Sequence, residues 1–140
     1  MYISLKGCHP DQRFDCAPPR TFVALLSGKY RGNMATAPKS EILNLVELVT
    51  YQDGSVVSRQ ITKAEAGNVT LFAFDKDQEL SEHTAPFDSL VHILDGGAEI
   101  KISGKAFALG TGDAIIMPAN EPHALKALTP FKMLLTMIRS

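Results

Sequence analysis

The chain has 140 residues, a formal net charge of −1 and a hydrophobic fraction of 45%. A chain of this size forms one domain with a sizeable core, and its composition excludes disorder along its whole length. The near-zero net charge and the scattered Lys and Arg residues argue against nucleic acid or an anionic membrane surface as a partner.

The first thirty-odd residues carry no regular pattern and are interrupted by proline and glycine. Only residues 21–26 have the composition of a short element. Two interpretations stay open. Residues 1–33 are an upstream extension, or the result of a start assigned upstream of Met34, and are not part of the fold; or they are an N-terminal arm that docks on the domain. We assign residues 1–38 to an N-terminal extension and 39–140 to the folded domain.

The same N-terminal part bears on location and on metal binding. No apolar run reaches the roughly twenty residues that a membrane helix needs, and the run at 22–26 is too short for a signal peptide. We therefore expect a cytoplasmic protein. Its two cysteines, Cys8 and Cys16, are too few for a disulfide framework, and with His9 they form a weak candidate metal site.

A short helix is predicted near residues 42–50. Ser40 and Glu41 resemble a helix start, and Gly54 follows in a turn that ends the element. The apolar residues between them fall on one helical face: Ile42, Leu45, Val46 and Val49.

From Gly54 onward the apolar residues follow a period of two. Eight runs rich in β-branched and aromatic residues are separated by turns with glycine or proline: 56–61, 69–74, 90–94, 98–102, 105–109, 114–117, 123–127 and 131–138. Short strands in succession, with no helices between them, predict an antiparallel sandwich or barrel over residues 55–138.

Two histidines about forty positions apart, His83 and His123, lie beside these strands. Imidazole is the commonest protein ligand for transition metals. Gly112, Pro118 and His123 keep the spacing Gly-x5-Pro-x4-His. This resembles the second motif of the cupins, Gly-x5-Pro-x-Gly-x2-His-x3-Asn, although Asn120 and Ala127 replace its second Gly and its Asn.

The first cupin motif, Gly-x5-His-x-His-x3-4-Glu-x6-Gly, is kept in part. His83 and Gly96 hold its register, whereas Ala85 and Ser89 stand where the family has a second His and a Glu. The resemblance covers about residues 55–138 and implies an all-β, antiparallel jelly-roll barrel. Of the family's four metal-binding positions, three His and one Glu, it leaves His83 and His123.

His92 is a candidate third metal ligand. Alternation counted from Ser89 puts Val91 and Ile93 inside the barrel and His92 on the other face, and a β-bulge in this strand would reverse that. If a metal binds, we expect a divalent transition metal (Zn, Fe, Mn or Ni) on His83 and His123, with His92 joining them if the bulge exists.

Three functions remain open at this point. The first is a small barrel that binds a metal ion, a small ligand or both in its pocket, without a known reaction. The second, which the resemblance implies, is a metal-dependent enzyme of the oxygenase or sugar isomerase/epimerase kind. The third is a structural dimer with a vestigial pocket. A homodimer is expected because residues 131–138 carry apolar side chains on both faces of one strand.

Overall fold

A computed structural model of the chain describes residues 36–139, and this part is all-β. Nine strands occur in it: β1 (Val56–Ala64), β2 (Gly67–Phe74), β3 (Glu79–His83), β4 (Asp88–Asp95), β5 (Gly97–Ile102), β6 (Lys105–Gly110), β7 (Ala114–Met117), β8 (His123–Ala127) and β9 (Phe131–Ile138). The predicted all-β antiparallel fold is confirmed. All eight predicted runs fall in strands, and β3 is an addition.

The strands form two sheets. The five-stranded sheet has the order β1-β2-β9-β4-β7, and the four-stranded sheet has the order β3-β8-β5-β6. Every pairing is antiparallel. After β2 the chain crosses repeatedly from one sheet to the other, which is the connectivity of a jelly roll.

One apolar core fills the space between the sheets. The rings of Phe74 and Phe131 stack in it, with centroids 4.5 Å apart and planes at 13°. Both sheets contribute fully or nearly fully buried side chains to this core, including Phe74, Val91, Ile93, Met133, Ile100 and Leu125. We call the face of each sheet that points toward this core its inner face, and the opposite one its outer face.

The helix predicted near residues 42–50 is not present in the described residues, where this segment forms turns and bends. Its i to i+3 hydrogen bond, from the Glu47 N–H to the Asn44 carbonyl oxygen, measures 3.1 Å. Val49 is buried against Leu71 on the outer face of the five-stranded sheet, whereas Ile42 is 92% exposed. Packing on the sheet prevails here, because a helix of about nine residues is marginal on its own.

Polar contacts hold this segment to the outer face of β9. Lys132, only 8% exposed, donates from Nζ to the Val46 carbonyl oxygen at 2.6 Å, and Nζ lies 4.9 Å from the centroid of the Tyr51 ring. The Tyr51 hydroxyl donates to Asp95 Oδ2 at 2.6 Å. Burial, and then this bond to Asp95, raises the pKa of Tyr51 well above its ordinary value. The chain itself therefore covers part of the face that we expected a second subunit to cover.

Several predictions concern residues before 36, which lie outside the described part of the chain. These are the element at 21–26, the Cys8, His9 and Cys16 group, and most of the assigned extension 1–38. Within the described part, the Ala37 N–H donates to the Ile61 carbonyl oxygen at 2.8 Å, so residue 37 is attached to β1. Residues 36–139 include no helix with the length and apolarity to cross a membrane.

Candidate functional site

The structure brings His83 and His123 together. His83 ends β3, His123 begins β8, and the two are direct partners across this antiparallel pair. Their ring centroids are 4.5 Å apart and the ring planes make an angle of 64°. Two residues forty positions apart in sequence thus form one pair at the end of the barrel.

A β-bulge in β3 sets this pairing. Leu80 lies opposite Leu125 and His83 lies opposite His123, so three steps along β3 match two steps along β8. In a regular ladder Glu82 would lie opposite His123. The extra residue moves His83 into that place, which is a common use of bulges beside functional sites.

The pair runs from the core to the solvent. His123 is only 3% exposed and alternates with Leu125 and Ala127, both members of the core, so its ring is on the inner face of the four-stranded sheet. His83, by contrast, is exposed. The pair therefore lies at one end of the barrel, with His123 buried on the inner face and His83 exposed at the edge.

The two rings are held in the same way. His83 Nδ1 lies 2.8 Å from the Ser81 carbonyl oxygen, and His123 Nδ1 lies 2.9 Å from the Glu121 carbonyl oxygen. A carbonyl oxygen only accepts, so Nδ1 is the protonated nitrogen of each ring. In the neutral form each Nε2 then carries a lone pair, which can accept a hydrogen bond or bind a metal.

The turn between β5 and β6 fixes the loop before His123. The Ser103 hydroxyl donates to the Glu121 carboxylate, and the Ser103 N–H donates to the Pro122 carbonyl oxygen at 2.8 Å. These bonds hold the peptide whose carbonyl oxygen orients His123. Glu121 is thus a loop anchor.

The segment that follows His83 is tied to the same loop. The Asn120 N–H donates to the Ala85 carbonyl oxygen at 2.7 Å, and the Ala119 N–H donates to Asp88 Oδ1 at 2.9 Å. Asp88, the first residue of β4, therefore joins the end of the β3–β4 connection to the β7–β8 loop. The two loops that carry the histidines are held as one unit.

The structure does not bring His92 to the pair. Its neighbours Val91 and Ile93 are fully buried in the core, and the pairing of β4 with β9 is regular from Asp88 to Ile93, with a shift only after Ile93. His92 therefore lies on the outer face of the five-stranded sheet. The shift in β4 comes after His92 and leaves it on that face, whereas the shift that affects the histidine pair is in β3.

The donor set sets a limit on metal binding. Among residues 36–139, no group of three or more His, Cys, Asp or Glu side chains is placed to hold a metal ion. Protein sites for Zn, Fe or Mn normally use at least three protein ligands. The described residues do not fit a metal enclosed by protein ligands. They fit only an ion that takes its remaining ligands from water or from a bound molecule.

Comparisons with known proteins agree with this fold. The family model for the cupin domain matches residues 70–138. A conserved protein of unknown function from Streptococcus pyogenes is 33% identical, with a TM-score of 0.71, and the match covers 78% of this chain and 98% of that one. No curated protein matches the chain.

Two further solved structures carry the family in their descriptions. A cupin superfamily protein from Desulfitobacterium hafniense is 27% identical, with a TM-score of 0.70, covering 75% of this chain and 96% of that one. A cupin 2 conserved barrel domain protein from Leptotrichia buccalis is 38% identical, with a TM-score of 0.68, covering 69% of this chain and 47% of that one. The chain belongs to the cupin family.

Proposed function

We propose that this cupin domain binds a small molecule at the end of the barrel where His83 and His123 meet. The observation that carries the proposal is the common orientation of the two rings. Each donates Nδ1–H to the carbonyl oxygen two residues earlier and keeps its Nε2 available. Two Nε2 acceptors side by side suit a ligand with hydroxyl or amide donors. The proposal is one of binding and includes no reaction.

Side chains on the opposing sheet support a pocket of mixed character. Ser89 on β4 is buried and lies between Met117 of β7 and Met137 of β9 in the cross-strand register. Its hydroxyl donates to the Phe87 carbonyl oxygen at 3.4 Å. Ligand pockets typically combine such apolar walls with a few polar groups that fix orientation. The methionines would contact the apolar part of a ligand and the imidazoles its polar part.

A fragment screen tests this proposal. Alcohols, amides and phenols would be titrated into protein carrying ¹⁵N-labelled histidine, and the imidazole signals recorded. Binders should shift the signals of both His83 and His123. Their binding should be lost in His83→Ala and His123→Ala and kept in Glu82→Ala, the adjacent exposed side chain. Binders with equal affinity for all variants, or no fragment that shifts either imidazole, would overturn the proposal.

A second candidate is binding of a divalent transition metal (Zn, Fe, Mn or Ni) by the same pair. It is favoured by the two Nε2 lone pairs, with water or a bound molecule completing the coordination. Elemental analysis of protein purified without a histidine tag, followed by titration with Zn²⁺, tests it. Loss of the metal in the double variant His83→Ala, His123→Ala supports the site, and retention places the metal elsewhere. We do not propose the oxygenase or isomerase alternatives, since two His anchor a catalytic metal weakly.

We also propose that a second copy of the chain covers the outer face near β7. Leu90 and Ile116 are cross-strand partners there and are 39% and 62% exposed. Ile138, at the end of the neighbouring strand β9, is exposed as well. Contiguous apolar side chains of this kind are typical of symmetric subunit contacts. The cytoplasmic location stays a prediction.

A further inference from the structure

A small cavity lies where the β1–β2 hairpin meets the end of β9. Its volume is about 70 Å³, and the residues that line it include two cations, one amide, one aromatic ring and one thioether: Lys63, Arg139, Asn68, Phe87 and Met137. No carboxylate lines it. A water molecule takes about 30 Å³ of the liquid, so the cavity has room for a few heavy atoms.

This cavity lies at the same end of the barrel as the histidine pair. Lys63 is the cross-strand partner of Asn68, and Asn68 is the partner of Met137, which in turn pairs with Ser89. These residues form a row on the inner face of the five-stranded sheet. Phe87, which lines the cavity, follows His83 by four residues in the connection from β3 to β4.

The charged groups of the cavity have N–H donors available to a ligand. Among residues 36–139, neither Lys63 nor Arg139 forms an ion pair, whereas Lys101 pairs with Glu99 at 3.8 Å. The Arg139 guanidinium lies over the Phe87 ring, 5.4 Å from its centroid. That contact occupies a face of the guanidinium and leaves the N–H groups at its edge available.

Asn68 adds a neutral donor. Its Oδ1 accepts a hydrogen bond from Thr70 Oγ1 at 3.4 Å, so this bond leaves the two N–H groups of the amide available. An ammonium, a guanidinium edge and an amide thus line one small space without an acidic group. A negatively charged oxygen group is the chemical complement of such a lining, and charge-assisted hydrogen bonds to it are the stronger kind.

We propose that this cavity binds the oxyanion group, a carboxylate or a phosphate, of the small molecule held at the histidine pair. The part of this proposal that places the rest of the ligand at the histidine pair rests on the proposed function. The anion site itself includes neither histidine. Lys63 and Arg139 supply the charge, and Asn68 supplies a directional donor. The ligand class is therefore a small organic acid or phosphate ester that carries hydroxyl or amide groups.

Inorganic phosphate and acetate are the probes for this site. Each would be titrated at constant ionic strength, with chloride as the balancing anion, into the metal-free full chain while backbone ¹H–¹⁵N spectra are recorded. Saturable shifts are expected at the amides of Gly67, Asn68 and Arg139. Lys63→Gln and Arg139→Gln should each weaken the affinity by about tenfold, which is about 1.4 kcal/mol. Both side chains are exposed, so the variants should remain folded.

Lys101→Gln is the matched control, since it removes one positive charge from an exposed site on the other sheet. Its anion affinity should equal that of the wild type. Equal weakening in all three variants, or the absence of shifts at the cavity amides with either probe, would overturn the inference. The double variant His83→Ala, His123→Ala should still bind the probes, so failure of the histidine proposal and failure of the anion site remain distinguishable. The probe that binds more tightly identifies the oxyanion.

Discussion

His83 and His123 lie directly opposite each other across a bulged antiparallel pair, and each ring donates Nδ1–H to the carbonyl oxygen two residues before it. The pair is asymmetric in burial, because His123 belongs to the inner face and His83 is exposed. Because of this difference, replacing His123 should affect both stability and binding, whereas replacing His83 should affect binding and leave stability nearly unchanged.

The first prediction follows from that difference. His123→Ala should lower the free energy of unfolding by about 1–3 kcal/mol, because it removes a buried, hydrogen-bonded ring. His83→Ala should change it by less than about 0.5 kcal/mol, as is usual for an exposed side chain. Denaturant unfolding followed by circular dichroism measures both values. Equal losses in the two variants would contradict the burial described for the pair.

The two motif glycines are predicted to differ in their response to alanine. Gly96 and Gly112 both have positive φ, at 78° and 92°. A Cβ at Gly96 would clash with the carbonyl oxygen of Pro130, whereas a Cβ at Gly112 would meet open space. Gly112→Ala should therefore lower the free energy of unfolding by about 1–2 kcal/mol, from the backbone conformation alone. Gly96→Ala should lower it further, because the clash adds to the same backbone cost. Similar unfolding midpoints for the two variants would refute this account.

Alkaline pH should weaken the attachment of Tyr51. Burial, and then the bond to Asp95, raises the pKa of its hydroxyl, so the folded chain holds this proton more tightly than the unfolded chain. Stability linked to Tyr51 is present below about pH 10, the ordinary tyrosine value, and is lost as the pH rises above it. The measurement is denaturant unfolding of wild type and Tyr51→Phe from neutral to alkaline pH. The difference in free energy of unfolding between wild type and Tyr51→Phe should shrink above about pH 10. A difference that stays constant with pH would argue against the mechanism.

The proposed dimer depends on Leu90 and Ile116. Leu90→Lys and Ile116→Lys should each place a charge in the contact and give a monomer. Leu128→Lys, at another exposed apolar residue, should leave the assembly unchanged. Light scattering at tens of micromolar protein distinguishes the two states. A wild-type chain that is already monomeric at that concentration would remove the basis of the proposal.

Alternation in the sequence was a sound guide where a strand is buried on one face. It placed Val91 and Ile93 inside and His92 outside, and the structure agrees, because a period of two leaves no choice once the core side is fixed. The spacing of the cupin motifs singled out His83 and His123, and the structure pairs these two residues. Gly96 and Gly112 keep motif positions where the backbone requires positive φ.

Other features depend on contacts that the sequence does not display. β3 was missed because Glu79, Ser81 and Glu82 are polar and exposed, so the strand has no apolar alternation beyond Leu80. Its bulge arises from pairing with β8, far along the chain, and local pattern gave no sign of it.

The prediction of a helix near residues 42–50 was wrong for a related reason. Its apolar residues matched a helical period, but Val49 instead packs across a sheet that forms later in the sequence. The lining of the proposed anion cavity was also missed, since Arg139 lies far along the chain from Lys63 and Asn68, which belong to one hairpin. The available signal was a cation shortly after each of two predicted strand runs, Lys63 after 56–61 and Arg139 after 131–138.

The central claim is that His83 and His123 form one site whose Nε2 atoms are available to a ligand. Long-range ¹H–¹⁵N correlation spectra of histidine-labelled protein near neutral pH test it most directly, together with nuclear Overhauser effects between the two rings. The account predicts that the neutral rings carry their proton on Nδ1, and that a cross-peak joins the ring protons of His83 and His123. A proton on Nε2 of either neutral ring, or rings without a cross-peak in the folded protein, would contradict it.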